Sequence, residues 1–176
     1  MDKQYIISID LGTSSCKTAL FNGKGVMVSI ASREHKTFFG ENGAVEQDPN
    51  EWWLGTRETI REVLWKSGVT GSQIAVVGID SQSSAMIPVG RDGEVLHHAM
   101  IWTDRRAVME KKWIDVNVGQ EILTQINGNR NDESNVAPKL MWFKNNYPKH
   151  YQQTYKILNA AGFLAYKLTG IFSCNL

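Results

Sequence analysis

A chain of 176 residues, 42% hydrophobic and 21% charged, has ordinary globular composition, which excludes long-range disorder, collagen-like repeats and low complexity. Its 19 basic and 18 acidic residues nearly cancel and form no run of one sign, so neither a nucleic-acid tail nor a polybasic membrane patch is indicated. The length fits about one domain with a sizeable core. No apolar run approaches the roughly 18 residues of a spanning helix. Met1-Asp2-Lys3-Gln4 opens without a signal-peptide core, which points to the cytoplasm. Cys16 and Cys174 lie far apart without a CxxC pattern and read as two separate reduced thiols.

Along the chain, Tyr5-Ile6-Ile7-Ser8-Ile9 is an apolar β-like run, and Asp10-Leu11-Gly12-Thr13-Ser14-Ser15 is a polar turn. Lys17 to Phe21 and Val26 to Ile30 read as two more strands, joined by Asn22-Gly23, a hairpin signal because both residues tolerate positive φ. The three strands predict an antiparallel meander over Tyr5 to Phe39. Asp48-Pro49-Asn50-Glu51 starts a helix, with Asp48 as cap, Pro49 at the first position and Glu51 where a capping box wants an acid. Trp52, Thr56, Ile60 and Val63, with Trp53 and Leu64, give it an apolar face, and Gly68 stops it. Ile74 to Ile79 is apolar throughout, which predicts a parallel strand buried on both faces. Met86 to Leu96 predicts a second hairpin around Gly93. Further helices are expected after Thr103, from Gly119 to Ile126, from Lys139 to Tyr147, and from Ala160 to Leu168. A strand meander followed by strand–helix alternation argues an α/β fold.

The polar turn between the first two strands is the strongest chemical signal. Gly12 lets the backbone approach a ligand closely, and nearby amides with the hydroxyls of Thr13, Ser14 and Ser15 can wrap phosphate oxygens. Asp10 can orient Mg²⁺ through its water shell. The plainer alternative is a hairpin turn rich in small polar residues. Asp80 to Ser84 follows a buried-type strand at its carboxyl end, where open α/β sheets bind ligands. With Trp102-Thr103-Asp104-Arg105-Arg106 it offers amide, hydroxyl, carboxylate and guanidinium groups beside an indole, which suits a polyhydroxylated ligand. The alternative for the second stretch is a helix start capped by Thr103 with surface arginines. His35, His97, His98 and His150 have no metal-ligand spacing, and His97-His98 reads as a solvated strand end. Neither GxGxxG nor GxxxxGK[ST] is present. The tryptophans Trp52, Trp53, Trp65, Trp113 and Trp142 read as core, as does Cys16.

Ile9 to Ser15 closely resembles the first phosphate motif of the FGGY carbohydrate kinases. Four further stretches agree in the family's order. They are Glu46-Gln47-Asp48-Pro49 with Trp52-Trp53, Gly78-Ile79 with Gln82, Ile101-Trp102 with Asp104 and Arg106, and Ala137-Pro138-Lys139-Leu140 with Trp142. Tyr166 to Gly170 is similar to the family's helix-ending LTG signature, and the xylulokinase-like branch is the nearest subgroup. The resemblance implies an α/β, actin-like (ribonuclease H-like) amino-terminal domain, a mixed sheet with flanking helices, occupying residues 1–176 as part of a longer kinase.

By the same resemblance the reaction is transfer of the ATP γ-phosphoryl group to a sugar or polyol hydroxyl. Asp10 would position Mg²⁺, while Gly12, Thr13, Ser14 and Ser15 would hold the ATP phosphates. Gln82, Ser83 and Ser84 would line the sugar pocket, with Trp102, Asp104 and Arg106 close by. A small-molecule sugar or polyol is the expected partner, with no nucleic acid and no membrane, and a homo-oligomer stays open. Ser83-Ser84 stands where typical xylulokinases carry Met-His, which leaves the sugar itself open, and Gly162 replaces a common aspartate. The family's base aspartate, second phosphate motif and adenosine segment are expected beyond Leu176, so the chain by itself is expected to be inactive. The competing class is a non-catalytic sugar- or phosphate-binding fragment, or a truncated gene product.

Overall fold

The computed structural model describes residues 4–173. The expectations resting on Cys174 and on Met1-Asp2-Lys3 fall outside the described residues. The elements begin with β1 (Tyr5–Leu11), β2 (Ser15–Asn22), β3 (Met27–Glu34), β4 (Phe38–Phe39), β5 (Val45–Gln47), α1 (Pro49–Ser67) and β6 (Ile74–Ser81). They continue with β7 (Ile87–Val89), β8 (Ala99–Met100), α2 (Val108–Asn117), α3 (Gln120–Asn127), α4 (Val136–Asn146), α5 (Pro148–Gln153), β9 (Lys156–Leu158) and α6 (Ala160–Thr169). Two compact units result. The first joins Asp48–Gln82 to the stretches up to Lys36 and from Ala160 on; the second is Thr37–Gln47 with Ser83–Asn159. Among the described residues no helix is long and apolar enough to cross a membrane.

The first unit is built on a four-stranded mixed sheet in the order β3-β2-β1-β6. The meander forms as expected, antiparallel from β1 to β2 and from β2 to β3, and β6 adds in parallel beside β1. Alternation decides which face is covered: Ile7, Ile9 and Leu11 of β1 and Cys16, Thr18 and Leu20 of β2 are all buried. Helix α1 packs over β2 and β3 with Trp52, Thr56, Thr59 and Val63 buried, one helical stripe. Thr59 takes the place expected for Ile60 because its hydroxyl meets Thr18 Oγ1 at 2.7 Å across the interface. Thr56 likewise faces Cys16 Sγ at 3.4 Å.

Local chemistry at the turns and caps differs in detail from the expectation. Asp48 caps α1 by accepting from the Asn50 amide, and Gly68 closes it in the left-handed region. Glu51 completes no capping box; its Oε2 accepts instead from the amide of Lys36. In the β2–β3 hairpin it is Gly25 that takes positive φ, while Asn22 Oδ1 accepts from the amides of Lys24 and Val26.

Strand β6 corrects a larger expectation. It is the edge of the sheet, and Val76 and Val77 are exposed rather than buried on both faces. A continuous apolar run reports that no face of the strand selects polar side chains, but burial needs a covering layer, and among the described residues only α6 and β1 pack substantially on β6. Trp65 and Trp113 are likewise exposed, whereas Trp52 is fully buried as expected.

The second unit contains the small sheets β4-β5-β8 and β7-β9. Met86 and Met100 exchange backbone hydrogen bonds and share a core with Phe143, against which Leu140, Trp142, Tyr151 and Ile157 pack. The expected second hairpin reduces to a bridge between Val89 and Val95 around Gly93. β7 finds its partner in β9 instead. Helix α4 begins at Val136, before Lys139, with Pro138 tolerated in its first turn. Pro148 both ends that helix and starts α5. His97 is no solvated strand end: its ring packs edge-on against Phe143 and Tyr147.

Candidate functional site

In the first unit the turn Gly12 to Ser14 links β1 to β2 and is closed by the Gly12 amide donating to Ser15 O at 3.0 Å. The carbonyls of the turn point back into the protein. Thr13 O accepts from His35 Nε2 at 3.0 Å, and Ser14 O accepts from the His35 amide at 3.2 Å. A carbonyl only accepts, so the Nε2 nitrogen carries the hydrogen, and His35 Nδ1 is buried with no partner among the described residues. Burial pushes the His35 pKa below its ordinary value, which keeps the ring neutral near neutral pH. Sequence reading gave His35 no role, because nothing in the spacing shows that the chain leaving β3 passes behind the turn.

Asp10 stands beside the turn with its carboxylate accessible and Lys17 Nζ 3.9 Å away. A Cβ at residue 12 would sit at ordinary contact distance, 3.5 Å from Ser15 O and 3.9 Å from Asp10 Oδ1. An exposed carboxylate next to a turn of small hydroxyl residues fits a hydrated Mg²⁺ with phosphate oxygens. The parallel register sets Asp80 directly beside Asp10. Gln82 belongs to this unit too, and its amide donates to Leu11 O at 2.8 Å. The glutamine expected to touch sugar therefore sits one residue from the turn expected to hold phosphate.

The second unit carries the other candidates. Ser84 has φ of 52°, a left-handed conformation unusual for a residue with a Cβ. It lines a cavity of about 320 Å³ with Asn129, Arg130, Asn131 and Asn135. These four polar residues were not singled out from the sequence, since a run of Asn, Arg and Asp reads as a solvated loop. Trp102 is exposed at the surface, and Ser83 is exposed beside Ser84.

Asp104 and Arg106 form a buried brace. Asp104 is fully buried, and its oxygens accept from the Val45 amide at 2.8 Å, the Arg106 amide at 3.2 Å and Arg106 Nη2 at 2.6 Å. Glu46 pairs with the same Arg106 Nη2 at 2.8 Å, and the guanidinium lies 4.7 Å over the ring of Trp142. Burial disfavours the charge on Arg106, but the Asp104 hydrogen bonds and the two carboxylates outweigh it and raise its pKa. The helix-start alternative for this stretch does not hold: α2 begins only at Val108, no side chain caps it, and Arg106 is not a surface arginine. Among the described residues no group of three or more His, Cys, Asp or Glu could hold a metal ion by itself.

Comparison with known proteins follows the same lines. Residues 5–176 match the profile of the FGGY family of carbohydrate kinases, N-terminal domain. The chain is 31% identical over 166 residues to the xylulose kinase of Staphylococcus xylosus, covering 94% of this chain and 34% of that protein. It is 32% identical over 170 residues to the glycerol kinase of Bdellovibrio bacteriovorus, with the same coverages of 94% and 34%. Among solved structures, a xyloylose kinase from Brucella ovis superposes with a TM-score of 0.88 at 26% identity, covering 94% of this chain and 34% of that one. The chain thus spans about a third of the length of the curated relatives it matches.

Proposed function

The chain belongs to the FGGY family of carbohydrate kinases, and from that premise we propose that it serves ATP-dependent phosphorylation of a sugar or polyol hydroxyl. It would supply the phosphate turn and part of the acceptor pocket. The observation that supports this reading is the bond from the Gln82 amide to Leu11 O, which sets Gln82 beside the Gly12–Ser14 turn.

Phosphoryl transfer leaves a protein little covalent chemistry to perform, so positioning and charge stabilisation dominate. The turn of Gly12, Thr13, Ser14 and Ser15 would hold phosphate oxygens, chiefly through its three hydroxyls since the Gly12 amide already donates to Ser15 O, with His35 keeping the Thr13 and Ser14 carbonyls turned away. Asp10 would hold Mg²⁺, which when bound neutralises phosphate charge. The side chains of Gln82, Ser83 and Ser84 would fix hydroxyls of the acceptor, and Trp102 would cover its C–H face. Asp104 would act through Arg106, since its own oxygens are already engaged. The buried free thiol of Cys16 and the need for ATP support a cytoplasmic setting.

The test is ligand-observed NMR of the 176-residue chain with Mg-ATP and a panel of ketoses and polyols, repeated on Gln82→Ala and Asp10→Ala. Expected is binding of at least one panel member that Gln82→Ala weakens, and nucleotide binding that Asp10→Ala weakens. Binding of neither ligand class, or equal binding by wild type and variants, would overturn the reading.

A further inference from the structure

Lys139 is fully buried in α4, yet it belongs to none of the groups assigned so far. A buried ammonium is tolerated only when its hydrogens are satisfied. Here Nζ donates to Ser84 O at 2.9 Å, to Ile101 O at 2.7 Å and to Met100 O at 3.4 Å. All three acceptors are backbone carbonyls, and they come from two separate stretches. One stretch ends in the left-handed Ser84 at the cavity wall; the other leads directly into Trp102. Ile101 O also accepts from the Asp104 amide at 3.0 Å, so the same carbonyl ties the ammonium to the start of the Arg106 brace.

We infer that Lys139 is a positioning residue for the acceptor-binding segments, its ammonium setting the spacing between the Ser83–Ser84 segment and the Trp102–Arg106 segment. The inference deepens the polyol reading above and rests on it for the identity of the ligand. The three bonds act on backbone rather than on side chains, so the lysine governs where Ser84 and Trp102 stand without touching the ligand. An apolar isostere would fill the same volume and could even favour the fold, because a buried charge adds little net stability. It would leave the two segments untied. That separates a positioning role from a purely structural one.

Burial lowers the Lys139 pKa to about 8. Asp104 opposes this shift, Arg105 and Arg106 add to it, and Asp132 opposes it. Charge on the ammonium strengthens its bonds to carbonyls. The tie is therefore strongest below about pH 8 and weakens above it.

The experiment compares Lys139→Met and Lys139→Arg with the unmodified 176-residue chain. Amide exchange is followed at Met86 and Asp104, whose N–H groups donate to Met100 O and Ile101 O. Affinity for the panel of ketoses and polyols is measured by ligand-observed NMR across the pH range around 8. In Lys139→Met, exchange at both amides should accelerate by about tenfold or more, the loss expected for a charge-assisted bond. Exchange in β7 and β9, which belong to the same unit as Lys139, should stay unchanged. Polyol affinity should fall by a similar factor and recover in part with Lys139→Arg. In the unmodified chain that affinity should decline above about pH 8, and in Lys139→Arg this decline should vanish. Exchange at Met86 and Asp104 that stays at the unmodified rate in Lys139→Met overturns the inference. If Lys139→Met fails to fold, judged by exchange in β7 and β9, the amide shifts of Asp104 in the unmodified chain decide instead. A titration of those shifts near pH 8 that Lys139→Arg removes supports the tie, and its absence refutes it. An unmodified chain that binds no polyol at any pH refutes the ligand reading of the two segments, while the exchange data still judge the tie.

Discussion

The imidazole of His35 donates through Nε2 to the carbonyl of Thr13 at 3.0 Å, so a residue just beyond β3 holds the middle of the turn between β1 and β2. The His35 amide adds a second bond to Ser14 O. Two carbonyls of the turn are thus drawn inward, while its Gly12 amide closes the turn on Ser15 O.

Burial depresses the His35 pKa, and the same holds for His97. Between each depressed value and the ordinary 6.5, the unfolded chain binds more protons than the folded one. Stability contributed by these groups is therefore complete above about pH 6.5 and declines as pH falls through that window. His35→Gln, which retains a donor, should flatten part of this decline. Urea midpoints measured across that pH range check it; identical pH slopes for variant and parent would contradict the assignment.

Gln82→Ala removes the side chain but keeps the backbone bond to Leu11 O. The variant should fold with unchanged stability and bind polyol about tenfold more weakly, the worth of one or two hydrogen bonds. Calorimetric titration beside thermal unfolding separates the two effects. Unchanged polyol affinity would remove Gln82 from the acceptor site.

Asp104→Asn leaves Arg106 buried with only Glu46 to balance it. Breaking one partner of a buried pair typically costs about 3 kcal/mol. Denaturant unfolding should show a loss of that order, with weaker polyol binding because Arg106 and the Trp102 segment lose their anchor. A variant as stable as the parent would mean that the Asp104–Arg106 pair adds nothing.

The chain spans about a third of the length of the curated relatives it matches, and the residues proposed above for phosphate and acceptor include no general base, so the 176-residue chain should bind ligands without turnover. A general base typically contributes about 10²–10⁴-fold, and lost alignment removes as much again. A coupled ADP-release assay with the sugar panel, run beside Asp10→Ala, should stay at background. Sugar-dependent release that Asp10→Ala abolishes would show a complete kinase.

Strand β6 is an apolar sheet edge, and its Val76 is 52% exposed. Such edges pair with other chains. Self-association should rise with concentration in sedimentation velocity, and Val76→Lys should suppress it. A monomer at all concentrations would contradict this.

Much of the first unit was legible locally. The meander needs only three short runs and two turns, and Asp48, Pro49 and Gly68 bracket α1 by their own backbone preferences. The turn between β1 and β2 was legible for the same reason, closed as it is between Gly12 and Ser15. Such features arise between residues close in sequence.

Tertiary structure decided the rest, because burial and hydrogen-bond partners depend on what arrives from far along the chain. Ile74 to Ile79 carries the composition of a two-sided core strand, yet it ends the sheet, since composition cannot say whether a covering layer is present. Asp104 reads as a ligand-binding carboxylate and is instead enclosed by Val45 and Arg106, 59 residues separating it from the first. Lys139 shows the limit most sharply. Within α4 it is one more lysine near a helix start, and only folding brings Ser84 and Ile101 to its ammonium, 55 and 38 residues away.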